Sequence, residues 1–395
     1  MALFDFCIGT SKMSSRADVV IIGAGIVGLT IAYELARGGV ARVIVFDAGS
    51  PGQQSTGRST GGIRQQFGSE LEIRMTQAAL KFYEPVFSST DFDGRFERDG
   101  YLFLAGKAQE GRLLAAWRVQ QQMGVPSEWL DQETLRDRYP YIESSDLAGA
   151  TWCAEDGFVD PWSIVQWLLR ECRSRGVEIR SQQRVDAIDV AQQRVRSVTA
   201  GAERFEAPIV VNAAGAWAGA VGELAGVPTP VRPSPRIQLV TDLQQALPTT
   251  TPLVVDLMHG GYVRSIQRRV LAGASPRTIP IGFELEPHFE EVDGIATCVS
   301  RRFPDLRDVG ISRVISGLYE VTPDGLPIAS FSEHVAGFAI VAGFNGHGIM
   351  HSPPLACAMA DIILHGRAER FDVEPFSARR FSAGQAARRR ASSLL

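Results

Sequence analysis

Hydrophobic positions along the chain fall into short unbroken runs and longer periodic stretches. Asp18-Val19-Val20-Ile21-Ile22 is an apolar run ended by glycine. A run without polar alternation is what a strand buried on both faces of a parallel sheet requires. Apolar residues recur at helical spacing from Leu29 until Gly38-Gly39, and Arg42-Val43-Ile44-Val45-Phe46 is a second run closed by Asp47. These pieces predict a strand–turn–helix–strand unit. Residues 51–68, rich in Gly, Ser, Thr, Gln and Arg, predict a long loop of the kind that carries function. A helix is expected over 69–87, then short strands with one helix (about 108–123) within 96–150. Asp160-Pro161 caps an amphipathic helix over 161–175. Strands are expected at 177–179, 185–190 and 194–200. Pro208-Ile209-Val210-Val211-Asn212 is another buried run, leading into a small-residue turn through Trp217. Residues 231–313 alternate short strands with turns, which suits an antiparallel sheet. Phe338–Ala342 is the last buried run, followed by a glycine turn over 343–348. A helix then runs to about Leu364, with Pro353-Pro354 expected in its first turn.

Composition narrows the class. The chain has 395 residues, 45% hydrophobic and 21% charged, enough for a sizeable core and two to three domain-sized units. A net charge of −4 argues against nucleic acid as a partner. No apolar run reaches the roughly 18 residues that a membrane span needs. The cysteines Cys7, Cys153, Cys172, Cys298 and Cys357 are scattered, with no C-x-x-C and no histidine at ligand spacing. They read as buried or idle thiols of a reducing compartment, with no metal site. The first 16 residues carry Asp5 and lack the long apolar core of a signal peptide, and Met13 offers a second start; a cytoplasmic protein is expected. Lysine is confined to Lys12, Lys81 and Lys107, which excludes lysine chemistry beyond position 107. Residues 1–16 and 381–395, including Arg388-Arg389-Arg390, are expected to be flexible.

The glycines carry the first chemical signal. Gly23-x-Gly25-x-x-Gly28 follows a buried strand, opens a helix, and precedes Asp47 at the end of the next strand. In that context the motif reads as a dinucleotide site: the glycines let backbone approach a pyrophosphate at a helix N-terminus, and Asp47 accepts from a ribose. No second fingerprint for nicotinamide is present. The glycine clusters at 213–219 and 343–348 each follow a buried run, so distant segments complete the same sheet. One extended dinucleotide across a discontinuous domain points to FAD rather than NAD.

Taken together, the fingerprint, Ser55-Thr56-Gly57-Arg58-Ser59-Thr60-Gly61-Gly62-Ile63-Arg64-Gln65-Gln66-Phe67, Asn212-Ala213-Ala214-Gly215-Ala216-Trp217, residues 317–328 (Gly317 to Ile328) and Gly343-Phe344-Asn345-Gly346-His347-Gly348 resemble the D-amino-acid-oxidase-like FAD family. The nearest branch is the sarcosine oxidase β-subunit and proline dehydrogenase β-subunit group, over about residues 17–380. The resemblance implies an α/β fold with a discontinuous, Rossmann-type (GR2-like) FAD-binding domain from 17–95, 151–230 and 314–380. It implies an antiparallel-sheet substrate (cap) domain from 96–150 and 231–313. Cofactor contacts are implied at Gly23, Gly25, Ile26, Val27, Gly28, Asp47 and Ala48; at Gly57, Arg58, Ser59, Thr60, Gly61, Gly62 and Ile63; and at Val185, Ala213, Ala214, Gly215 and Trp217. They are implied also at Gly317, Asp324, Gly343, Asn345, Gly346, His347, Gly348, Ile349 and Met350.

The activity implied is oxidation of the C–N bond of an amino acid or N-alkyl amine carrying a carboxylate, by hydride transfer to flavin N5, giving an imine that hydrolyses. Backbone N–H groups at 346–350 would face the N1–C2=O edge of the flavin. Arg64 aligns with the arginine that pairs with the substrate carboxylate in monomeric sarcosine oxidases, where a planar fork suits a carboxylate. The lysine that assists it there falls on Met350, and the arginine of D-amino-acid oxidases falls on Tyr319. Tyr262 matches a pocket-lining strand of D-arginine-dehydrogenase-like relatives. Arg264 and Arg236 are weaker carboxylate candidates, and His347 is favoured over His259 and His351 as a base. The covalent-flavin cysteine and histidine of relatives fall on Gly317 and Ser59, so the FAD is expected to be noncovalent. The oxygen-activating lysine is absent, which leaves O2 or another electron acceptor open. Two other readings stand beside this one: a 2-hydroxy-acid oxidoreductase, and an assembly factor or flavoprotein subunit of a larger complex. Either a homo-oligomer or a partner subunit is compatible with the sequence.

Overall fold

The structure is a computed structural model that describes residues 15–275 and 278–381. Among the described residues there are eight α-helices: α1 (Ile26–Arg37), α2 (Glu70–Phe87), α3 (Lys107–Gln122), α4 (Gln132–Arg138), α5 (Pro161–Ser174), α6 (Ala218–Leu224), α7 (Phe289–Arg302) and α8 (Gly348–His365). Cys7, Met13 and the triple arginine 388–390 lie outside the described residues.

The unbroken apolar runs form one six-stranded sheet. Its order is Glu178–Arg180, Val43–Phe46, Val19–Ile22, Ile209–Asn212, Phe338–Ala342, Ile328–Phe331, with only the last pair antiparallel. Every residue of Val19–Ile22, Val43–Phe46 and Phe338–Ala342 is buried, because apolar layers cover both faces. On one face lie α1, α2, α5 and α8, joined through Leu29, Leu35, Tyr83, Leu168 and Met359. The other face packs Val20, Phe46, Phe205, Val210 and Ile340 against a four-stranded sheet and α6. Ser15–Arg16, expected in the flexible terminus, pair in parallel with Phe205–Glu206 at the edge of that smaller sheet.

An eight-stranded sheet occupies the other side of the molecule. Its order is Ile311–Val321, Arg232–Thr241, Arg269–Ala274, Gly261–Ile266, Leu253–Asp256, Tyr101–Gly106, Leu147–Cys153, Ser127–Leu130. It departs from the expected antiparallel sheet at one seam: Leu253–Asp256 runs parallel to Tyr101–Gly106, which is where the two stretches of chain join. Residues 314–321 and 151–153, expected with the cofactor-binding segments, belong to strands of this sheet. Strand 311–321 therefore crosses from one sheet's territory toward the other.

Two further corrections concern helices. Residues 289–302, expected as strand and turn, form α7, opened by a His288–Glu291 capping box and packed through Ile295. Pro353 and Pro354 lie inside α8, beyond its first turn, since His347 is the N-cap. Pro353 has no N–H for the Ile349 carbonyl four residues earlier. The Tyr83 hydroxyl of α2 donates to that carbonyl at 2.7 Å instead.

Candidate active site

The fingerprint turn is tight enough to demand glycine. A Cβ at Gly23 (φ +108°) would run into the Ala213 carbonyl, and one at Gly28 into the carbonyl of Gly23. Gly25 is the N-cap of α1 with no side-chain cap, and the first turn holds no acid, so this helix end keeps its positive field. Thr56 leans in and accepts the Ile26 N–H at 3.2 Å. Asp47 closes the turn from the next strand, accepting Ala24 N–H and Gly49 N–H, each at 2.8 Å. Ala48 stands between these contacts. The segment before Val185 lies alongside, with Gln183 N–H donating to the Asp47 carbonyl at 2.9 Å.

The long loop ties the two large sheets together. Ser55 donates to the Leu318 carbonyl and Arg58 to the Ser316 carbonyl, each at 2.8 Å. Ser59 accepts the Gly61 N–H, and Thr60 and Gly61 lead into Gly62–Ile63, which pair with Gly157–Phe158. A Cβ at Gly62 would strike the Tyr101 hydroxyl, and one at Gly57 the Trp162 ring. A Cβ at Gly317 would rest on Arg58 at 3.4 Å.

Some expected cofactor contacts are engaged within the protein. Asp324 gives its carboxylate to Arg380 (2.7 Å) and the Leu326 N–H (3.1 Å), so it braces the turn. The Asn345 side chain (residue φ +52°) bonds Thr322 and the carbonyls of Gly325 and Gly343, and its backbone N–H donates to the Glu320 carbonyl at 3.1 Å. His347 N–H and Met350 N–H are taken by the carbonyls of Phe344 and His347. The donor field expected from 346–350 therefore narrows to Gly346 and to Gly348 and Ile349, the first two residues of α8, which have no intrahelical acceptor.

Arg64, Tyr262, His347 and Tyr319 converge where the loop, α8 and the eight-stranded sheet meet. Arg64 is 7% exposed. Its guanidinium donates to the Gln66 carbonyl, lies 3.7 Å from the Phe67 ring centroid and 5.1 Å from that of Phe103, and has Nη2 3.5 Å from His347 Nε2. No carboxylate pairs with it among the described residues. Burial lowers the pKa of Arg64. The same loss of water, with the Arg64 charge beside it, pushes His347 down to about 3, so its imidazole is neutral. A neutral ring facing an arginine donor accepts at Nε2 and carries its proton on Nδ1. The Tyr319 ring packs on Gly346 (φ +88°), where a Cβ would overlap it, and burial raises its hydroxyl pKa. Tyr262 lies across Gly273 and hydrogen-bonds Gln238; its pKa too is raised by burial.

Other candidates lie elsewhere. His259 pairs with Asp256 at 2.8 Å in a network with Arg302. Arg264 is bound to Glu97 (3.1 Å) and Asp99 (2.9 Å), which removes it as a substrate cation. His351 is buried behind Phe67, with its pKa held well below the usual value by burial. Two carboxylates escaped the sequence reading. Asp156 accepts the Gln65 N–H (2.7 Å) and the Gln66 amide (3.1 Å), fixing the loop that carries Arg64; burial pushes it up to about 6. Glu320 accepts the Gly343 N–H at 3.0 Å and that of Phe344, and burial pushes it up to about 7. Asp156 stands between Glu155 and Gly157, and that glycine was the available signal; Glu320 meets the Gly343 turn only through the fold.

The whole arrangement has known counterparts. The model of the family described as FAD dependent oxidoreductase, DAO, matches residues 18–362. The chain belongs to this family of FAD-dependent oxidoreductases. It is 29% identical to FAD-dependent oxidoreductase domain-containing protein 1 of Xenopus laevis, covering 93% of this chain and 83% of that protein. It is 26% identical to the 4-methylaminobutanoate oxidase (formaldehyde-forming) of Paenarthrobacter nicotinovorans over 94% of this chain, which spans only 46% of that longer enzyme. The crystal structure of L-proline dehydrogenase from P. horikoshii superposes with a TM-score of 0.87 at 28% identity, covering 94% of this chain and all of the other. The protein is thus a flavoenzyme of the DAO family. Its own residues suit FAD: the Gly23–Gly28 cradle and the acid-free first turn of α1 fit a pyrophosphate, and the start of α8 fits the electron-rich edge of a reduced flavin. Among the described residues no group of acids, cysteines or histidines is placed to hold a metal, and no helix is long and apolar enough to cross a membrane.

Proposed function

We propose that this flavoenzyme oxidises the C–N bond of an amino acid or N-alkyl amine that carries a carboxylate. The observation behind it is Arg64: a buried guanidinium, walled by Phe67 and facing a neutral His347, with no acidic partner among the described residues. A cation taken out of water is costly unless an anion meets it. A substrate carboxylate is that anion, held by two parallel N–H···O bonds.

Bound FAD supplies the two-electron acceptor. The protein's part is placement. Arg64 anchors the carboxylate, which sets the adjacent carbon against the cofactor. Phe67, Phe103 and Tyr319 exclude water. His347, held neutral by burial, can accept a hydrogen bond at Nε2 from an amine that binds in its neutral form, once a carboxylate draws Arg64 away. The substrate loses a C–H bond and its electron pair, nitrogen forms the C=N bond, and water then splits the imine into an amine and a carbonyl compound. Dioxygen or another acceptor restores the oxidised cofactor. The names of the methylaminobutanoate oxidase and the proline dehydrogenase support this substrate class.

Anaerobic mixing of the FAD-loaded protein with sarcosine, 4-methylaminobutanoate, proline and D-amino acids tests the proposal. Bleaching of the flavin band by at least one amine is expected. Bleaching by 2-hydroxy acids alone, or by none of these compounds, would overturn it.

A further inference from the structure

Large apolar side chains are left exposed at both ends of the eight-stranded sheet. At one end Ile279, Ile281, Phe283 and Phe289 fall within eleven residues, on the segment that leads into α7, and Phe289 is 77% exposed. This segment is tied to strand Arg232–Thr241 near its start. The Gly282 N–H donates to the Pro233 carbonyl at 3.0 Å, and Ser234 Oγ donates to the Pro280 carbonyl at 2.6 Å. At the other end Leu243, 65% exposed, follows the last residue of that strand, and Ile311 is the exposed partner of Thr241. The Asp242 N–H donates to the Gly310 carbonyl at 2.8 Å, which holds these two apolar residues on one face. The two faces are charged with opposite sign. Residues 278–293 carry Glu284, Glu286, Glu290, Glu291 and Asp293, all exposed, and no lysine or arginine. That is −5 on one short segment of a chain whose net charge is −4. Leu243 and Ile311 are flanked instead by exposed Arg268, Arg269, Arg307 and Arg313, against Asp242 and Asp308. Arg269 donates to the Thr241 carbonyl (2.8 Å) and to Ser312 Oγ (3.2 Å), which keeps it at this face. None of these acids or arginines takes part in an ion pair among the described residues.

We propose that these two faces are the halves of one interface between copies of this chain: the acidic, apolar segment 279–291 of one copy docks on the basic, apolar face around Leu243 and Ile311 of the next. Each half has apolar side chains at its centre and charges of a single prevailing sign around them, the usual make-up of a specific protein contact. The halves cannot satisfy each other within one molecule. Pro233 and Thr241 are eight residues apart on a single strand, which puts the faces roughly 25 Å apart at opposite ends of it. Nor does either half suit a copy of itself, since acid would meet acid or arginine would meet arginine. The contact is therefore head to tail, and each bound pair leaves one half of each kind free. Copies are added until a ring closes. The docked face lies beside the cofactor-binding turns, because the Phe283 ring stacks on Trp217, 5.5 Å between centroids.

Sedimentation of the FAD-loaded full chain tests this, with two variants that each blunt one half. Ile281→Ser with Phe289→Ser alters the acidic half, and Leu243→Ser with Ile311→Ser alters the basic one. All four side chains are exposed, so the bound-flavin spectrum and thermal midpoint should stay as they are. The unmodified chain is expected to sediment above the 42.9 kDa of one copy. Each variant alone is expected to raise the association Kd at least about 10-fold and to run as a monomer. Mixing the two variants leaves one intact half on each, so an equimolar mixture should form a one-to-one dimer and nothing larger. Salt gives a reading that needs no variant: raising NaCl from about 0.05 M to about 0.5 M should shift the unmodified chain toward monomer. A chain that is monomeric at every concentration overturns the proposal and leaves both faces to a different partner. An oligomer that either variant leaves intact overturns it, as does a mixture with no dimer. So does an assembly that salt strengthens.

Discussion

Burial strips Arg64 of water, and the faces of Phe67 and Phe103 replace only part of that solvation. What remains is a planar fork, so geometry as well as charge decides what binds. Arg64→Lys keeps the charge and loses the fork. The apparent Kd for a monocarboxylate amine is expected to rise about 10- to 100-fold, read from the concentration dependence of anaerobic flavin reduction. Unchanged affinity would remove Arg64 from the site. Glu320 allows a second prediction. An ordinary glutamate titrates near 4.5, and in the fold Glu320 titrates near 7 because it is buried. Between those values the folded chain holds a proton that the unfolded chain has released. Its contribution to stability therefore falls as pH rises from about 4.5 to about 7 and is level above that, a loss of roughly 3 kcal/mol at most. Asp156, pushed up to about 6, acts in the same direction over a lower window. Glutamine can accept the same N–H groups from Gly343 and Phe344 without a charge. Glu320→Gln is thus expected to raise the thermal midpoint at pH 8 and leave it unchanged at pH 5. Equal midpoints at pH 8 would contradict the charge argument.

Helix α8 shows how a local irregularity is repaired from outside. Pro353 leaves the Ile349 carbonyl without its helical donor, and the buried Tyr83 of α2 fills the place. Tyr83→Phe removes one oxygen and leaves that carbonyl buried and unpaired. The expected cost is about 1–3 kcal/mol, seen as a drop of several degrees in the thermal midpoint. Because Ile349 lies in the first turn of α8, weaker flavin retention is expected alongside it. The double proline was legible as a mark on this helix, but its partner was not, since residues 83 and 349 meet only through the fold. The buried strands were legible for the opposite reason: Val19–Ile22 and Phe338–Ala342 are apolar throughout, a pattern that needs no knowledge of the neighbour. Helix α7 was missed although Val292, Ile295 and Val299 recur at helical spacing, because Gly294 and the flanking turns mask the period in a stretch otherwise rich in strands. Arg64 could be singled out from its glycine-rich loop, whereas its lack of an acidic partner among the described residues is a property of the assembled fold.

At the scale of the molecule, the residues that would hold FAD come from distant stretches of chain: the fingerprint and Asp47, the loop from Ser55, the turn at Ala213 and the start of α8. The Gly23 turn already touches Ala213, and the loop already bonds strand 311–321 through Ser55 and Arg58. The cofactor adds a further tie across these segments, and it can bind only when all are assembled. Ligand that binds the folded chain alone stabilises it in proportion to the logarithm of its concentration, about 2.7 kcal/mol at 100 times Kd. The thermal midpoint is therefore expected to climb as free FAD is raised above the protein concentration, and to fall on dilution. That dependence requires an exchangeable cofactor. The resemblance drawn from the sequence puts Gly317 and Ser59 at the positions of covalent-flavin nucleophiles, so a noncovalent FAD is expected. Acid precipitation should leave the yellow colour in the supernatant and a colourless pellet. A yellow pellet, together with a midpoint indifferent to added FAD, would mean that another side chain holds the flavin covalently and that these segments are tied by a bond rather than by binding.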